Sequence, residues 1–99
     1  MAFLRIDNNR LTLIALDTIA AVTVSGKQLT IFTDNYVEAV VELDADVEVI
    51  EKAAEELMKI RDLYKEFAGK GLYPLKTIVL DEIVKAAEKK LEREKANTS

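Results

Sequence analysis

The chain of 99 residues contains no cysteine, no histidine and no tryptophan. Without cysteine it has no disulfide, no thiolate nucleophile and no thiolate ligand for zinc or an iron–sulfur cluster. Without histidine it lacks the side chain most used near neutral pH as a general acid or base and as a transition-metal ligand. Most familiar catalytic constellations are therefore excluded. We expect a protein that is not an enzyme and that has no catalytic residue, no metal site and no cofactor.

Glycine and proline are also scarce, with three and one residues, whereas 49% of the residues are apolar and 32% are charged. This balance excludes collagen-like and low-complexity chains and predicts one small globular domain over residues 1–99. No apolar run approaches the ~18 residues of a membrane span, and the first residues acquire charge too early for a secretory signal. We therefore expect a cytoplasmic protein with no membrane partner.

Negative charge is in slight excess, because 14 Lys and Arg face 18 Asp and Glu to give a net charge of -4. No overall basic field exists to attract nucleic acid, so a nucleic-acid partner is not expected from composition. Glutamine occurs once, while Glu and Lys are abundant. That composition is typical of hyperthermophile proteins, in which ion pairs gain value as temperature rises. It predicts a thermostable protein.

Apolar and polar residues alternate with period two over residues 1–43, which predicts strands. Asn8-Asn9, Ser25-Gly26-Lys27 and Asp34-Asn35 are turn sequences that divide this half of the chain. With a further interruption at Leu16-Asp17, they give about five strands joined by short links. Such strands form an antiparallel β-meander, one face of which must be covered.

Residues 44–69 and 74–96 repeat apolar positions at the helical period near 3.6, which predicts two helices. Asp44 or Asp46 can cap the first helix, and glycine terminates it around Gly69. Strands thus precede helices. The predicted fold is α+β: an N-terminal antiparallel β-meander of about five strands, followed by two C-terminal α-helices packed on one sheet face. Small bacterial, archaeal and viral proteins often show this pattern, so we expect an archaeal or viral source.

The start of the second helix has two interpretations. Pro74 suits the first turn of a helix, because its missing N–H costs nothing there. The run Thr77-Ile78-Val79-Leu80 instead favours a strand, and Asp81 can cap a shorter helix. Residues 76–80 are therefore either a sixth strand or part of the helix, and the helix is the preferred interpretation.

Acidic residues at Asp44, Asp46 and Glu48 resemble the beginning of a calcium-binding loop. Such a loop requires glycine at its sixth position, where this chain has Val49. Acids are also favoured at the positive end of a helix dipole. We therefore assign these residues to helix capping, with no metal bound.

Surface patterning predicts self-association. A meander exposes two edge strands, and the second helix carries more apolar surface than one sheet face buries. The sheet face opposite the helices also carries large apolar side chains. The residues expected to contact a second copy of the chain are Phe3, Phe32, Ile83 and Leu91. The leading hypothesis is a small non-catalytic structural or protein-interaction module that forms a homodimer or higher oligomer.

The alternative hypothesis is a nucleic-acid-associated regulatory protein that uses the basic segment 85–95 of the second helix. This segment has five basic residues against three acidic ones. The candidate phosphate contacts are Lys85, Lys89, Lys90 and Arg93. Their spacing equally suits an ordinary solvated helix face, and no aromatic residue alternates with them to stack on bases. Salt-dependent retention on DNA distinguishes the two hypotheses.

Overall fold

A computed structural model describes the backbone of residues 1–34 and 36–98 and the side chains of residues 1–34 and 36–96. The elements are β1 (Ala2–Asn8), β2 (Arg10–Ala15), a 3-10 turn (Leu16–Thr18), β3 (Ile19–Ser25), β4 (Gln28–Thr33), β5 (Tyr36–Glu42), α1 (Val47–Gly69), β6 (Lys76–Val79) and α2 (Leu80–Thr98). The predicted α+β class, with strands first and two C-terminal helices, is confirmed.

The strands form two three-stranded sheets rather than one meander. Sheet A has the order β2-β1-β6, with β1 antiparallel to β2 and parallel to β6. Sheet B has the order β3-β4-β5 and is antiparallel throughout. The division falls at the 3-10 turn, where the Thr18 hydroxyl donates to the Ala15 carbonyl at 2.7 Å and Leu16 is fully buried. Because Leu16 enters the core there, the chain turns away from the β1–β2 ladder before β3 begins.

Residues 76–79 form a sixth strand, so α2 begins at Leu80 and not at residue 74. The β-branched residues of this segment favour the extended conformation. Strand β1 supplies the partner, in a parallel register that places Leu4 beside Ile78. The helical interpretation of the segment was therefore wrong, because pairing with a distant strand adds to a local preference that was already extended.

Helix α1 is delimited by the residues that the sequence indicated. Asp46 occupies the N-cap position in an extended conformation, although its side chain makes no capping hydrogen bond. After the last turn, Gly71 has φ +75° and its N–H donates to the Ala68 carbonyl at 3.0 Å. The N–H of Leu72 donates to the Phe67 carbonyl at 2.9 Å. These two bonds form a Schellman motif, in which the positive φ favours glycine.

One hydrophobic core joins both sheets and both helices. Its largest fully buried side chains are Leu4, Leu16, Ile19, Leu29, Ile31, Ile50 and Leu57. Helix α1 packs against α2, the 3-10 turn and β3, while α2 contacts β1 and β6. Among the described residues no polar or charged side chain is buried in this core. In the same part of the chain, neither helix combines the length and the apolarity needed to cross a membrane.

Candidate self-association surface

The outer face of sheet A is the side of β1 and β2 that points away from the core. On this face the register pairs Arg5 with Leu13 and Asp7 with Leu11, and Phe3 follows next along β1. Leu11 is 55% exposed and Leu13 is 53% exposed, and Phe3 is partly exposed. Residues two apart on a strand share a face. Two large aliphatic side chains therefore lie side by side in solvent.

The two charges of β1 on this face neutralise each other. Arg5 Nε lies 3.0 Å from Asp7 Oδ2, and both side chains are about half exposed. An exposed pair of this kind contributes only ~0–1 kcal/mol to stability. Its consequence is electrostatic: the outer face of the β1–β2 hairpin presents apolar groups without a net charge, so a second copy meets little repulsion there.

The outer face of sheet B carries Phe32 and two valines in place of the leucines of sheet A. Phe32 lies in its middle strand beside Val37, and Thr30 lies beside Val40. A register shift in the β4–β5 ladder brings Val37 and Val40 to the same face although they are three residues apart. Val37 is 56% exposed and Val40 is 48% exposed, whereas Phe32 is partly buried. The exposed apolar groups of this face are therefore the two valines of β5, and the charged Glu42 lies beside Val40 on the same face.

A second exposed group on sheet A escaped the sequence analysis. Residues 72–75, which we call the apolar arm, connect the end of α1 to β6. Leu72 is 53% exposed, Tyr73 62% and Leu75 86%, the highest value of any large apolar side chain among the described residues. The Met1 amino group donates to the Tyr73 carbonyl at 3.3 Å, so the arm is held beside β1. The sequence signal was the apolar run itself, which we interpreted as a helix entry.

The structure separates the four residues expected to contact a second copy. Phe3 lies on the outer face of sheet A and Phe32 on that of sheet B. Ile83 is only 5% exposed and Leu91 is partly buried against the core. The expectation for Ile83 was wrong, because α2 turns this side chain into the core of its own chain and leaves it no surface for a partner.

Helices α1 and α2 are joined by ion pairs that use part of the basic segment. The three pairs are Glu48–Lys95 at 3.2 Å, Lys52–Glu94 at 3.5 Å and Glu56–Lys90 at 2.9 Å. Residue numbers rise along α1 as they fall along α2, so the two helices run antiparallel. Lys90, one of the candidate phosphate contacts, is therefore held by a carboxylate of its own chain.

Glu56 is the most enclosed carboxylate in these pairs, with its side chain 15% exposed. The hydrogen bond from Lys90 lowers the pKa of Glu56 below its ordinary value of 4.5, although burial acts in the opposite direction. Its other oxygen, Oε1, has no hydrogen-bond partner among the described residues, and Lys59 Nζ lies 3.6 Å away. The carboxylate is thus kept ionised by cations on both helices.

The remaining candidate phosphate contacts lie on one exposed stripe of α2. Lys85, Lys89 and Arg93 are spaced four residues apart and are all exposed. Within the described residues none of the three lies within 4.0 Å of a carboxylate oxygen. Three of the four predicted cations are therefore open to solvent together, and the fourth is engaged with Glu56.

The acidic residues at the start of α1 do not converge on a point. Asp46 and Glu48 line a groove with Glu88 and Glu92 of α2, and Lys95 lies among them. In the described part of the chain, no three carboxylates are grouped so that they could hold a metal ion. No family model, no curated protein and no solved structure matches the chain.

Proposed function

We propose that the chain is a small non-catalytic structural module that associates with copies of itself through sheet A. One observation carries the proposal: the outer face of sheet A and the apolar arm beside it together expose the largest group of large apolar side chains among the described residues. Leu11 and Leu13 occupy the outer face, and the apolar arm borders the β6 edge of the sheet. Apolar groups exposed together on a small protein are typical of an interaction surface.

Energetics support association. Full burial of a leucine contributes about 1.5–3 kcal/mol, so covering the exposed halves of Leu11 and Leu13 yields roughly 1 kcal/mol each. Association itself costs at least about 4 kcal/mol in lost motion. Leu75, with 86% of its surface exposed, has more still to bury. In an assembly of two copies each of these leucines is buried twice. Burial of the outer face and of the apolar arm together therefore contributes more free energy than this minimum cost of association.

The non-catalytic part of the proposal is supported by the chemistry of the residue set. The chain has neither histidine nor cysteine, so proton transfer and nucleophilic attack would fall to carboxylates, lysines and hydroxyl groups. The pKa of the Glu56 carboxyl group is lowered by its hydrogen bond and ion pair with Lys90. A carboxyl group with a lowered pKa stays ionised. Glu56 therefore acts as the charged partner of Lys90 and not as a proton donor.

The test of self-association is the mass of the full chain by sedimentation equilibrium, from about 1 to about 100 µM, a range that detects micromolar dissociation constants. We expect the mass to rise from 11.1 kDa toward at least twice that value. Replacing Leu13 and Leu75 together by glutamate should keep it at 11.1 kDa. Val47→Glu is the matched control, because Val47 is 41% exposed but lies on α1. A wild-type mass of 11.1 kDa throughout would refute the proposal.

The nucleic-acid alternative has one supporting observation, the open stripe of Lys85, Lys89 and Arg93. We place it second because three phosphate contacts supply little affinity at physiological salt and because the net charge of -4 opposes approach to a duplex. Helix α2 also carries the acidic residues Glu88 and Glu92 among these cations, which reduces its net positive charge.

A further inference from the structure

We propose that the free edge of β6 pairs with β6 of a second copy, antiparallel and centred on Thr77. This inference rests on the self-association proposed above and specifies the contact that begins it. The partner is a second copy of this chain, and the interaction is the addition of one strand edge to another.

The backbone of β6 has one side unpaired. Its partner in sheet A is β1, and β6 forms the edge of the sheet. The N–H of Lys76 donates to the Met1 carbonyl at 3.2 Å, which fixes the side that faces β1. Because backbone groups alternate along a strand, Thr77 turns its N–H and C=O groups toward the free edge and Val79 turns its N–H there, while the Val79 carbonyl accepts the first hydrogen bond of α2. Strand β6 contains neither proline nor a bulge, two of the usual protections of an edge.

The charged residues at the two ends of β6 favour a second copy of the chain as the partner of this edge. Strand β6 is basic at its beginning, with Lys76, and acidic residues follow just after its end, with Asp81 and Glu82. An antiparallel second copy places the basic end of each chain toward the acidic end of the other, twice by symmetry. A parallel copy would bring like charges together. The edge is therefore complementary to itself in the antiparallel direction only.

The side chains select the register. Centring the pair on Thr77 places Leu75 opposite Val79 of the second copy, so the arm's most exposed leucine gains an apolar neighbour in both directions. Centring it on Lys76 would oppose two lysines, and centring it on Ile78 would place Leu75 opposite Asp81. Cross-strand neighbours of like charge destabilise a ladder, whereas apolar pairs stabilise it. Thr77 is thus the residue that meets its own copy at the twofold axis.

Area also favours edge pairing as the first contact. Three strands about 4.8 Å apart and six residues long give the outer face of sheet A a projected area of roughly 300 Å². A stable interface buries about 800 Å² on each partner, so packing two single sheets face to face falls short. Edge pairing creates one six-stranded sheet that displays Leu11 and Leu13 of both copies on the same side. The combined face then reaches roughly 600 Å², the lower end of the area that each partner buries in a stable interface.

Cysteine cross-linking tests the register directly. The chain has no cysteine, so Thr77→Cys introduces a single thiol. Facing residues of a hydrogen-bonded antiparallel pair have Cα atoms about 5.5 Å apart, within the range of a disulfide. We expect mild oxidation to give a covalent dimer of about twice 11.1 kDa. Thr23→Cys is the matched control, since Thr23 is an exposed threonine on β3, an edge strand of sheet B. Equal cross-linking of both variants, or none at Thr77, would overturn the inference.

A second variant measures the contribution of the arm. Leu75→Glu changes a side chain that is 86% exposed, so the fold should persist, as circular dichroism will verify. We expect the dissociation constant of the dimer to rise at least about 100-fold, because two apolar contacts are lost for each dimer. Val47→Glu should leave it unchanged.

The outcomes separate the two proposals. A wild-type dimer that persists in Leu75→Glu and does not cross-link through Thr77→Cys overturns the β6 contact and leaves self-association standing. A wild-type chain that sediments at 11.1 kDa throughout overturns both. Loss of association in Leu13→Glu alone, with Leu75→Glu unaffected, would assign the first contact to the outer face and overturn the β6 contact as well.

Discussion

Replacing Glu56 by glutamine is expected to destabilise the fold by about 1 kcal/mol near neutral pH. The Glu56 side chain is 15% exposed and its Oε2 accepts a hydrogen bond from Lys90 Nζ at 2.9 Å. A hydrogen bond to a charged group contributes ~1.5–3 kcal/mol, but Lys90 is half exposed and glutamine keeps one acceptor oxygen, which together reduce the loss. For a chain of this length, 1 kcal/mol lowers the melting temperature by roughly 5 °C.

The pH dependence provides the sharper test. The folded state lowers the pKa of Glu56 below 4.5, so this carboxylate stabilises the fold fully above that pH. The contribution disappears as the pH falls through the lowered pKa, where the folded carboxylate takes up its proton. Denaturant unfolding of wild type and Glu56→Gln should therefore differ at neutral pH and converge in acid. Glu55→Gln is the matched control, because Glu55 is 67% exposed and its oxygen lies 3.9 Å from Lys52. Equal stability of Glu56→Gln and Glu55→Gln at neutral pH would refute this reasoning. A difference between wild type and Glu56→Gln that persists in strong acid would refute it as well.

Three other predictions address packing, backbone geometry and the alternative function. Leu57→Ala removes a fully buried side chain of α1 and should cost about 2–5 kcal/mol by denaturant unfolding; a loss below about 1 kcal/mol would contradict the described core. Gly71→Ala introduces a Cβ at φ +75° with open space around it, so about 1 kcal/mol of backbone strain alone is expected, and an unchanged melting temperature would speak against the Schellman geometry. Wild-type chain should not be retained on duplex DNA at physiological salt. A sub-micromolar complex that is lost when the four candidate phosphate contacts become glutamine would establish the nucleic-acid alternative instead.

The sequence pattern alone predicted the elements whose geometry depends on neighbouring residues. Period-two alternation located the strands of β1 to β5, and the glycine pair after residue 68 located the end of α1, because turn and cap geometry depends on neighbouring residues. An aspartate at the start of α1 was predictable for the same reason, although the pattern left Asp44 and Asp46 as alternatives and the structure has Asp46 at the N-cap. These features need no knowledge of the rest of the chain.

Features that depend on distant partners were not predictable from the pattern. The pattern left residues 76–80 as either strand or helix, and the pairing with β1, more than seventy residues away, decides for the strand. Ile83 belongs to an apolar helix stripe in either packing, and only the position of α2 decides that it faces the core. The Glu56–Lys90 pair joins two helices whose relative register no local spacing reveals. The alternation placed Phe3 on an outer sheet face, where the structure has it, but the exposure of the apolar arm was not predicted.

The parallel pairing of β1 with β6 sets the order in which the fold can be completed. Strands β3 to β5 join neighbours in sequence, so sheet B can form as soon as residue 42 is available. Sheet A needs residues 76–79 beside β1 and closes only after residue 79 has been synthesised. Closing so long a loop is slow compared with hairpin formation. Until then the β1 edge that later accepts β6 is unpaired on the nascent chain. The synthesis of residues 76–79 therefore determines how long that edge can pair with other chains.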